Sequence, residues 1–281
     1  MTASTPLVSI IIPAYKQAEY ISDALDSVLK QDYACWEAIV VDDGSPDNVA
    51  DIVAPYCAAD SRIQFVHTEN HGVSAARNKA VSLAKGEFIL PLDADDTIEP
   101  TYIGKAVEQF RLHPEAEVVY CKWRFFGVTT DAPELAYTTY RNLLVNNSIF
   151  ATAMFRRSRF LAIGGYDEDM HLGFEDWEMW MRLLDDSSVV IQIPEHLFNY
   201  RIKTASRNVT AADDNSGLNA FAIELYMMDK HKKVYKRYFG LPTVFYETRF
   251  QLEDQYRKLK KKYDRIWYRR LWRAIRPKRN R

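Results

Sequence analysis

Through the first 123 residues the chain alternates between two apolar patterns. Short, nearly continuous apolar runs read as buried strands: "LVSIIIP" (7–13), "WEAIVVDD" (36–43), "IQFVH" (63–67), "EFILPLD" (87–93) and "EVVYCKW" (117–123). Helical spacing fills the gaps between them. One helix is predicted over about 18–31, with Ile21, Leu25, Val28 and Leu29 on one face. A second follows the "GSPDN" turn, with Pro46 at its first position, and runs to about Tyr56. Others are predicted over 73–85 and from Pro100 to about His113. Strands alternating with helices predict a doubly wound, mainly parallel α/β sheet. Ligands of such sheets bind beyond the carboxyl ends of the strands. "IIPAY", "VVDDGS" and "PLDADD" all fall at those ends, so three loops should converge on one crevice.

From about 124 to 215 the pattern is less regular. Loops are expected there, with a short helix near 156–162 and another from Glu175 to about Leu184. From Ser216 onward the chain reads as helical. The predicted organisation is a catalytic domain over 1–215, with halves of about 1–123 and 124–215, followed by a helical extension over 216–281.

Composition changes this picture in two ways. Residues 230–281 hold 19 Lys and Arg against 4 Asp and Glu, whereas residues 1–229 hold 18 against 34. An acidic body thus carries a basic tail, and each needs its own explanation. The three cysteines, Cys35, Cys57 and Cys121, are odd in number and form no C-x-x-C pair. They read as reduced, mostly buried thiols, not as a disulfide or zinc framework. No stretch approaches the roughly 18 consecutive apolar residues of a spanning helix. A cytoplasmic protein that inserts in no membrane is expected.

The chemistry concentrates in "FILPLDADDTIEP" (88–100), where a strand ends in Asp93, Asp95 and Asp96. Like charges so close raise one another's pKa unless a positive group sits among them. A solvated turn capping the next helix needs fewer acids. Hard oxygen donors suit a divalent metal, Mg²⁺ or Mn²⁺, which takes one or two carboxylates together with a phosphate. Two enzyme classes fit. Read literally, "DADDT" matches the D-x-D-x-T loop of haloacid-dehalogenase-like phosphatases, with Asp93 as nucleophile and Asp95 as general acid. That loop, however, normally follows the first strand of its domain. The alternative is the D-x-D metal loop of a nucleotide-sugar-dependent glycosyltransferase. No G-x-G-x-x-G follows the first strand and no Walker lysine loop is present, which counts against dinucleotide oxidoreductases and NTPases. A two-carboxylate glycosidase would not require the other loops.

Six stretches decide between the two: "VSIIIPAYKQAEYISDALDSVLKQDY", "EAIVVDDGSPDN", "ENHGVSAARNKA", "GEFILPLDADD", "GGYDED" and "GFEDWEMWMRL". In this order, across roughly 7–205, the chain resembles glycosyltransferase family 2, the inverting enzymes of the A-type, Rossmann-like glycosyltransferase fold. The resemblance implies a nucleotide-sugar donor, a divalent metal and a set of site residues. Pro13, Ala14 and Tyr15 would underlie the nucleotide base and ribose. Asp43 would accept a uracil-type imide hydrogen, with Asp42 supporting its loop and Arg77 near the nucleotide. Asp93 would reach ribose or metal, and Asp95 would be the principal metal ligand. Asp176 would be the catalytic base, with Glu175 beside it. Gly164 and Gly165 would lie near the acceptor; Trp177 is a candidate sugar platform there, although its helical spacing also suits a core. Where many family members carry a histidine after the base helix, this chain reads "YRIKTAS", so Lys203 is expected to contact the diphosphate, with Arg201 as second candidate.

The implied reaction is a single displacement at the anomeric carbon, with inversion, onto a hydroxyl of a glycan or lipid-linked glycan. A catalytically inactive, membrane-recruited scaffold is the non-enzymatic alternative. The tail "YRKLKKKYDRIWYRRLWRAIRPKR" (256–279) sets Tyr256, Leu259, Tyr263, Ile266, Trp267, Leu271 and Ile275 at three- and four-residue spacing among cations. It reads either as a helix packed on the acidic body or as an interfacial helix, within 256–281, on an anionic membrane surface. The second reading would place the protein peripherally on the inner face of the cell membrane. No recognition fold for nucleic acid accompanies the charge.

Overall fold

The computed structural model describes residues 5–128, 134, 136–170, 173–203 and 218–240, with single positions at 247, 251 and 258. The elements in chain order are β1 (Val8–Ala14), α1 (Ile21–Leu29), β2 (Trp36–Asp43), α2 (Val49–Ala59), β3 (Ile63–Thr68), α3 (Val73–Leu83), β4 (Phe88–Pro91), β5 (Thr97–Ile98) and α4 (Tyr102–Leu112). There follow β6 (Ala116–Gly127), α5 (Tyr140–Leu143), β7 (Met154–Arg156), α6 (Arg157–Ala162), α7 (Glu175–Leu183), β8 (Val189–Ile202), α8 (Leu218–Lys230) and α9 (Lys232–Phe239). The chain divides into two compact units, Met1–Met227 and Met228–Arg281. The expected boundary at 215/216 and, of the segment 256–281, all but Lys258 lie outside the described residues.

One sheet runs β3-β2-β1-β4-β7-β6-β8-β5. β1 lies between β2 and β4, and these pairs and β2–β3 are parallel; β7 and β5 enter antiparallel. Every residue of β1, β2 and β4 is buried, as continuous apolar runs require when helices cover both faces of a sheet. Successive strands lie to either side of β1, which makes its carboxyl end the switch point where a crevice opens.

Two prolines shape that opening. In a parallel strand, alternate residues direct both backbone polar groups to one neighbour. Ile11 accepts from the Leu92 N–H, so Pro13, two residues on, faces the β4 side, where pairing has ended at Ile11–Pro91. By the same alternation Pro91 faces β7, which pairs only with Phe88 and Ile89. Neither missing N–H breaks a ladder bond.

The structure corrects several expectations. α2 begins at Val49 and not at Pro46. The "GSPDN" side chains are spent elsewhere: Ser45 Oγ accepts the Lys16 N–H at 3.1 Å and Asp47 accepts the Ala18 N–H at 3.0 Å, which holds Pro46 in a turn beside β1. Leu29 is exposed, and of the cysteines only Cys121 is buried. The region expected to be loops beyond 124 contains β7 and the long β8. Its register on β6 jumps from Cys121–Ile193 to Lys122–His196, so Pro194 and Glu195 bulge out. That proline is what hides the strand from periodicity.

β7 and α6 lead into the 163–166 turn that faces α3. Asn78 on α3 accepts the Tyr166 N–H at 2.8 Å and donates to the Tyr166 carbonyl and to Glu168, both at 2.9 Å. Arg182 on α7 donates to the carbonyls of Ile163 and Gly165 while paired with the fully buried Glu178. Gly164 and Gly165 both hold left-handed φ, +83° and +81°. A Cβ on Gly165 would lie 2.6 Å from Asn78 Oδ1, whereas one on Gly164 would meet nothing within 4 Å. Gly165→Ala should therefore cost about 1–3 kcal/mol and clearly more than Gly164→Ala. Urea unfolding of the two variants checks this; equal losses would remove Asn78 as the constraint.

Candidate active site

The strand ends place the first group of expected residues side by side. Ala14 pairs with Asp42, which pairs in turn with His67. Asp42 and Asp43 are buried, and both carboxylates hold loops. Asp42 accepts the Ser45 N–H at 3.0 Å and contacts His67 Nδ1 at 2.8 Å. Asp43 accepts the backbone N–H groups of His71 and Gly72 at 2.8 and 2.9 Å. Beyond them Tyr15, just past the end of β1, is 42% exposed, with the Lys16 ammonium 5.1 Å from its ring centre.

The carboxylates after β4 each meet a different group, a cation for Asp93 and Asp95 and a backbone N–H for Asp96. Asp93 takes a 2.6 Å bond from Arg77, whose other terminal nitrogen donates to Glu175 at 2.8 Å. This guanidinium is 1% exposed, so it presents almost no surface of its own to a ligand. It ties the loop after β4 to the start of α7. Asp95 pairs with the Lys203 ammonium at 2.5 Å, and Lys203 also donates to Gln17 at 3.0 Å. Asp96 is buried and turns away from both: it accepts the Arg201 backbone N–H at 2.8 Å, fastening the loop to β8. Burial, with Asp95 and Asp93 close by, pushes its pKa well above the usual carboxylate range. Arg201 completes the fastening. Its side chain donates to the Asp95 carbonyl and to Asp23, both at 2.7 Å, between the rings of Tyr20 and Phe126.

Asp176 sits one residue into α7 and takes a 3.0 Å bond from the Asn147 side-chain amide. Burial first, and the neighbouring Glu175 second, raise its pKa to about 6; the Asn147 bond and Arg77 oppose the rise. Such a carboxylate is ionised near neutrality but basic enough to take a proton. Helix α7 starts abruptly, from Phe174 at φ +62°. Trp177, in contrast, is 5% exposed and donates its indole N–H to the Leu143 carbonyl, which packs it into the body.

The donor set fits a divalent cation only in part by itself. Asp93 and Asp95 keep 34% and 22% of their side-chain surface exposed, and each engages its cation through one oxygen. Among the described residues no three Asp, Glu, His or Cys side chains converge to hold an ion. Two carboxylates nevertheless suit Mg²⁺ or Mn²⁺ when diphosphate oxygens supply the remaining contacts.

Sequence motifs pointed to Arg77, Asp93, Asp95, Glu175 and Asp176; Gln17 and Asn78 lie inside the matching stretches without having been singled out, and Asn147 lies outside them, because all three act through contacts across the fold. Removing Arg77 would leave Glu175 buried without its cation. Arg77→Met should therefore cost about 3–5 kcal/mol in urea unfolding, in the range for a broken buried pair; a loss below about 1 kcal/mol, the worth of an exposed pair, would contradict the bridge.

Comparison with known proteins agrees with this geometry. Residues 9–177 match the family model described as "Glycosyl transferase family 2". A glycosyltransferase of Streptococcus pneumoniae, GlyG, is 37% identical over 114 residues, 40% of this chain and 38% of its own. The chain covers 31–43% of the length of this and three similarly matched relatives. Among solved structures, residues 1–349 of TarS from S. aureus in complex with UDP-GlcNAc align with TM-score 0.64 at 22% identity, over 73% of this chain and 61% of that one. A mannosyltransferase of Pyrobaculum calidifontis in complex with GDP-Man and Mn²⁺ aligns with TM-score 0.59 at 23% identity, over 74% and 60%. These structural likenesses establish a shared fold, and the sequence match carries the family. The phosphatase alternative fails, because Asp93 follows the fourth strand with its carboxylate bonded to Arg77. The chain belongs to glycosyltransferase family 2.

Proposed function

We propose that this glycosyltransferase moves a sugar from a nucleoside-diphosphate donor, with a uridine nucleotide favoured, to a hydroxyl of a glycan or lipid-linked glycan, inverting the anomeric centre. The observation that supports this best is the Arg77 bridge, which joins the acids after β4 to the helix that carries Asp176. The loop assigned to the donor and the helix carrying the proton acceptor are thereby tied through one guanidinium.

In this reading Pro13, Ala14 and Tyr15 line the nucleoside, and Asp43 accepts the imide hydrogen through the lone pairs that His71 and Gly72 leave on its oxygens. Asp95, with Asp93, would hold Mn²⁺ or Mg²⁺, which when bound supplies Lewis-acid compensation for the charge of the departing diphosphate. Lys203 adds a point charge to that diphosphate, while Arg201 keeps the loop in place. Gly164 and Gly165 border the acceptor. Asp176 removes the acceptor's proton as the bond to the anomeric carbon forms, and Asn147 orients its carboxylate. With one base and attack opposite the leaving group, inversion follows. The neighbours bound to UDP-GlcNAc and GDP-Man support a nucleotide-sugar donor, and the Mn²⁺ complex supports the metal.

Among the described residues no helix is long and apolar enough to cross a membrane. For 256–281 we propose contact with anionic lipid at the inner face of the cell membrane, supported by its cations and aromatic stripe. Deleting 256–281 should abolish co-sedimentation with anionic liposomes while activity on a soluble acceptor persists; retained sedimentation would assign the tail to packing on the body.

Asp176→Asn should lower turnover by about 10²–10⁴-fold with uridine diphosphate binding intact. Unchanged turnover would remove Asp176 from the reaction. The pH dependence carries its own sign. Because the folded-state pKa is raised to about 6, the carboxyl is protonated below that value, and the base is lost there. kcat/KM should fall by about tenfold per pH unit below about pH 6. Stability runs the other way: the contribution of this group is full below the ordinary carboxylate pKa and is lost as pH rises through about 6. A flat kcat/KM profile between pH 5 and 7 would contradict the assignment. Thermal shift with uridine diphosphate plus Mn²⁺ should stabilise the protein, and indifference to the pair would contradict a donor site.

A further inference from the structure

Asp95, the carboxylate placed to take a metal, already has a cation. The Lys203 ammonium lies 2.5 Å from Asp95 Oδ2, donates to Gln17 Oε1 at 3.0 Å and stands 4.5 Å from the centre of the Tyr20 ring. Two hydrogen bonds and an aromatic face occupy it, and only 18% of the side chain remains exposed. This is a seat built for an ammonium ion, not a chance surface pair.

The neighbouring Arg201 cannot substitute. Its side chain is committed to the Asp95 carbonyl, to Asp23 and to two aromatic rings, and its N–H to Asp96. Arg201 therefore holds the backbone of the acidic loop, while among the described residues Lys203 is the cation paired with the Asp95 carboxylate. Lys203 also has what an exchangeable cation needs: a long, flexible stem and a point charge that forms bonds in any direction.

From this arrangement we propose that Lys203 is a resident counter-cation of Asp95 that competes with the divalent metal. The diphosphate of the donor relieves the competition by drawing the ammonium off the carboxylate. The inference rests on the donor-site reading above and deepens it. A metal arriving alone must displace an ammonium that then has no anion to meet, so it binds weakly. When a diphosphate is present, the displaced ammonium pairs with phosphate oxygens and Asp95 becomes available to the metal. Linkage makes the effect reciprocal: nucleotide raises metal affinity by the same factor by which metal raises nucleotide affinity. A neutral side chain at 203 removes the competitor and should let metal bind without nucleotide. The residue thus sets the order of assembly of the donor complex and the metal concentration it requires.

The test is equilibrium binding, independent of turnover. Mn²⁺ alone is titrated into the full chain and followed by electron paramagnetic resonance of the free ion, for wild type, Lys203→Met and Lys203→Gln. Uridine diphosphate is titrated calorimetrically into the same proteins, once with excess chelator and once with saturating Mn²⁺. Both variants should bind Mn²⁺ alone more tightly than wild type by up to about fivefold, the most that loss of one partly exposed ion pair allows. Both should bind uridine diphosphate in chelator more weakly by a similar factor. Two variants of different polarity guard against a folding defect in either. Equal Mn²⁺ affinity in wild type and both variants, or no Mn²⁺ binding in any of the three, overturns the competition. Failure of wild type to bind uridine diphosphate at saturating Mn²⁺ would instead overturn the donor-site reading, and the Mn²⁺ comparison would remain decisive for Lys203.

Discussion

A guanidinium buried to 1% exposure is the constraint on which the rest of this site depends. Removing Arg77 from water is costly, and two carboxylates offset that cost, Asp93 from the loop after β4 and Glu175 from the first turn of α7. The two acids lie 82 residues apart in the chain, and each alone would be destabilised by the other's charge. With the cation between them they become a clamp. Once β1, β2 and β4 have set their carboxyl ends along one edge, the clamp decides where α7 begins. Asp176 then acquires both its partial burial and its acidic neighbour, the two causes of its raised pKa.

A second layer of charge repeats the principle with a different balance. Asp95 and Asp96 are adjacent but answer to different groups, a side-chain ammonium and a backbone N–H. Three acids that would repel one another are thereby sorted by partner. Asp93 is locked through Arg77 to the start of α7, Asp96 is locked to β8, and Asp95 is paired with the Lys203 ammonium. In the donor site proposed above, that third condition is the one that suits an exchangeable ligand.

Much of this was legible in the sequence. Continuous apolar runs betray strands buried on both faces, so the parallel core and the convergence of "IIPAY", "VVDDGS" and "PLDADD" follow from pattern alone. The acids of the site announce themselves because three in four residues at a strand end exceed the needs of a turn. What pattern misses is contact across the fold. Arg77 and Glu175 are 98 residues apart, and Lys203 and Gln17 are 186 apart, so no local spacing joins them. Asn147 is an unremarked amide until α7 brings Asp176 to it. β8 escaped because Pro194 interrupts its alternation, and a proline in a run reads as a break until the bulge that accommodates it is seen. Pro46 misled for the opposite reason: a residue well suited to start a helix sits in a turn whose neighbours are bonded to β1.

The most direct measurement of the clamp is a double-mutant cycle between Asp93→Asn and Glu175→Gln in the full chain, read by urea unfolding. Acids that share one buried guanidinium should couple by at least about 1 kcal/mol, within the range found for residues of one ion-pair network. Losses that add to within about 0.3–0.5 kcal/mol, as for independent sites, would contradict a shared cation and with it the linkage of donor loop to base helix.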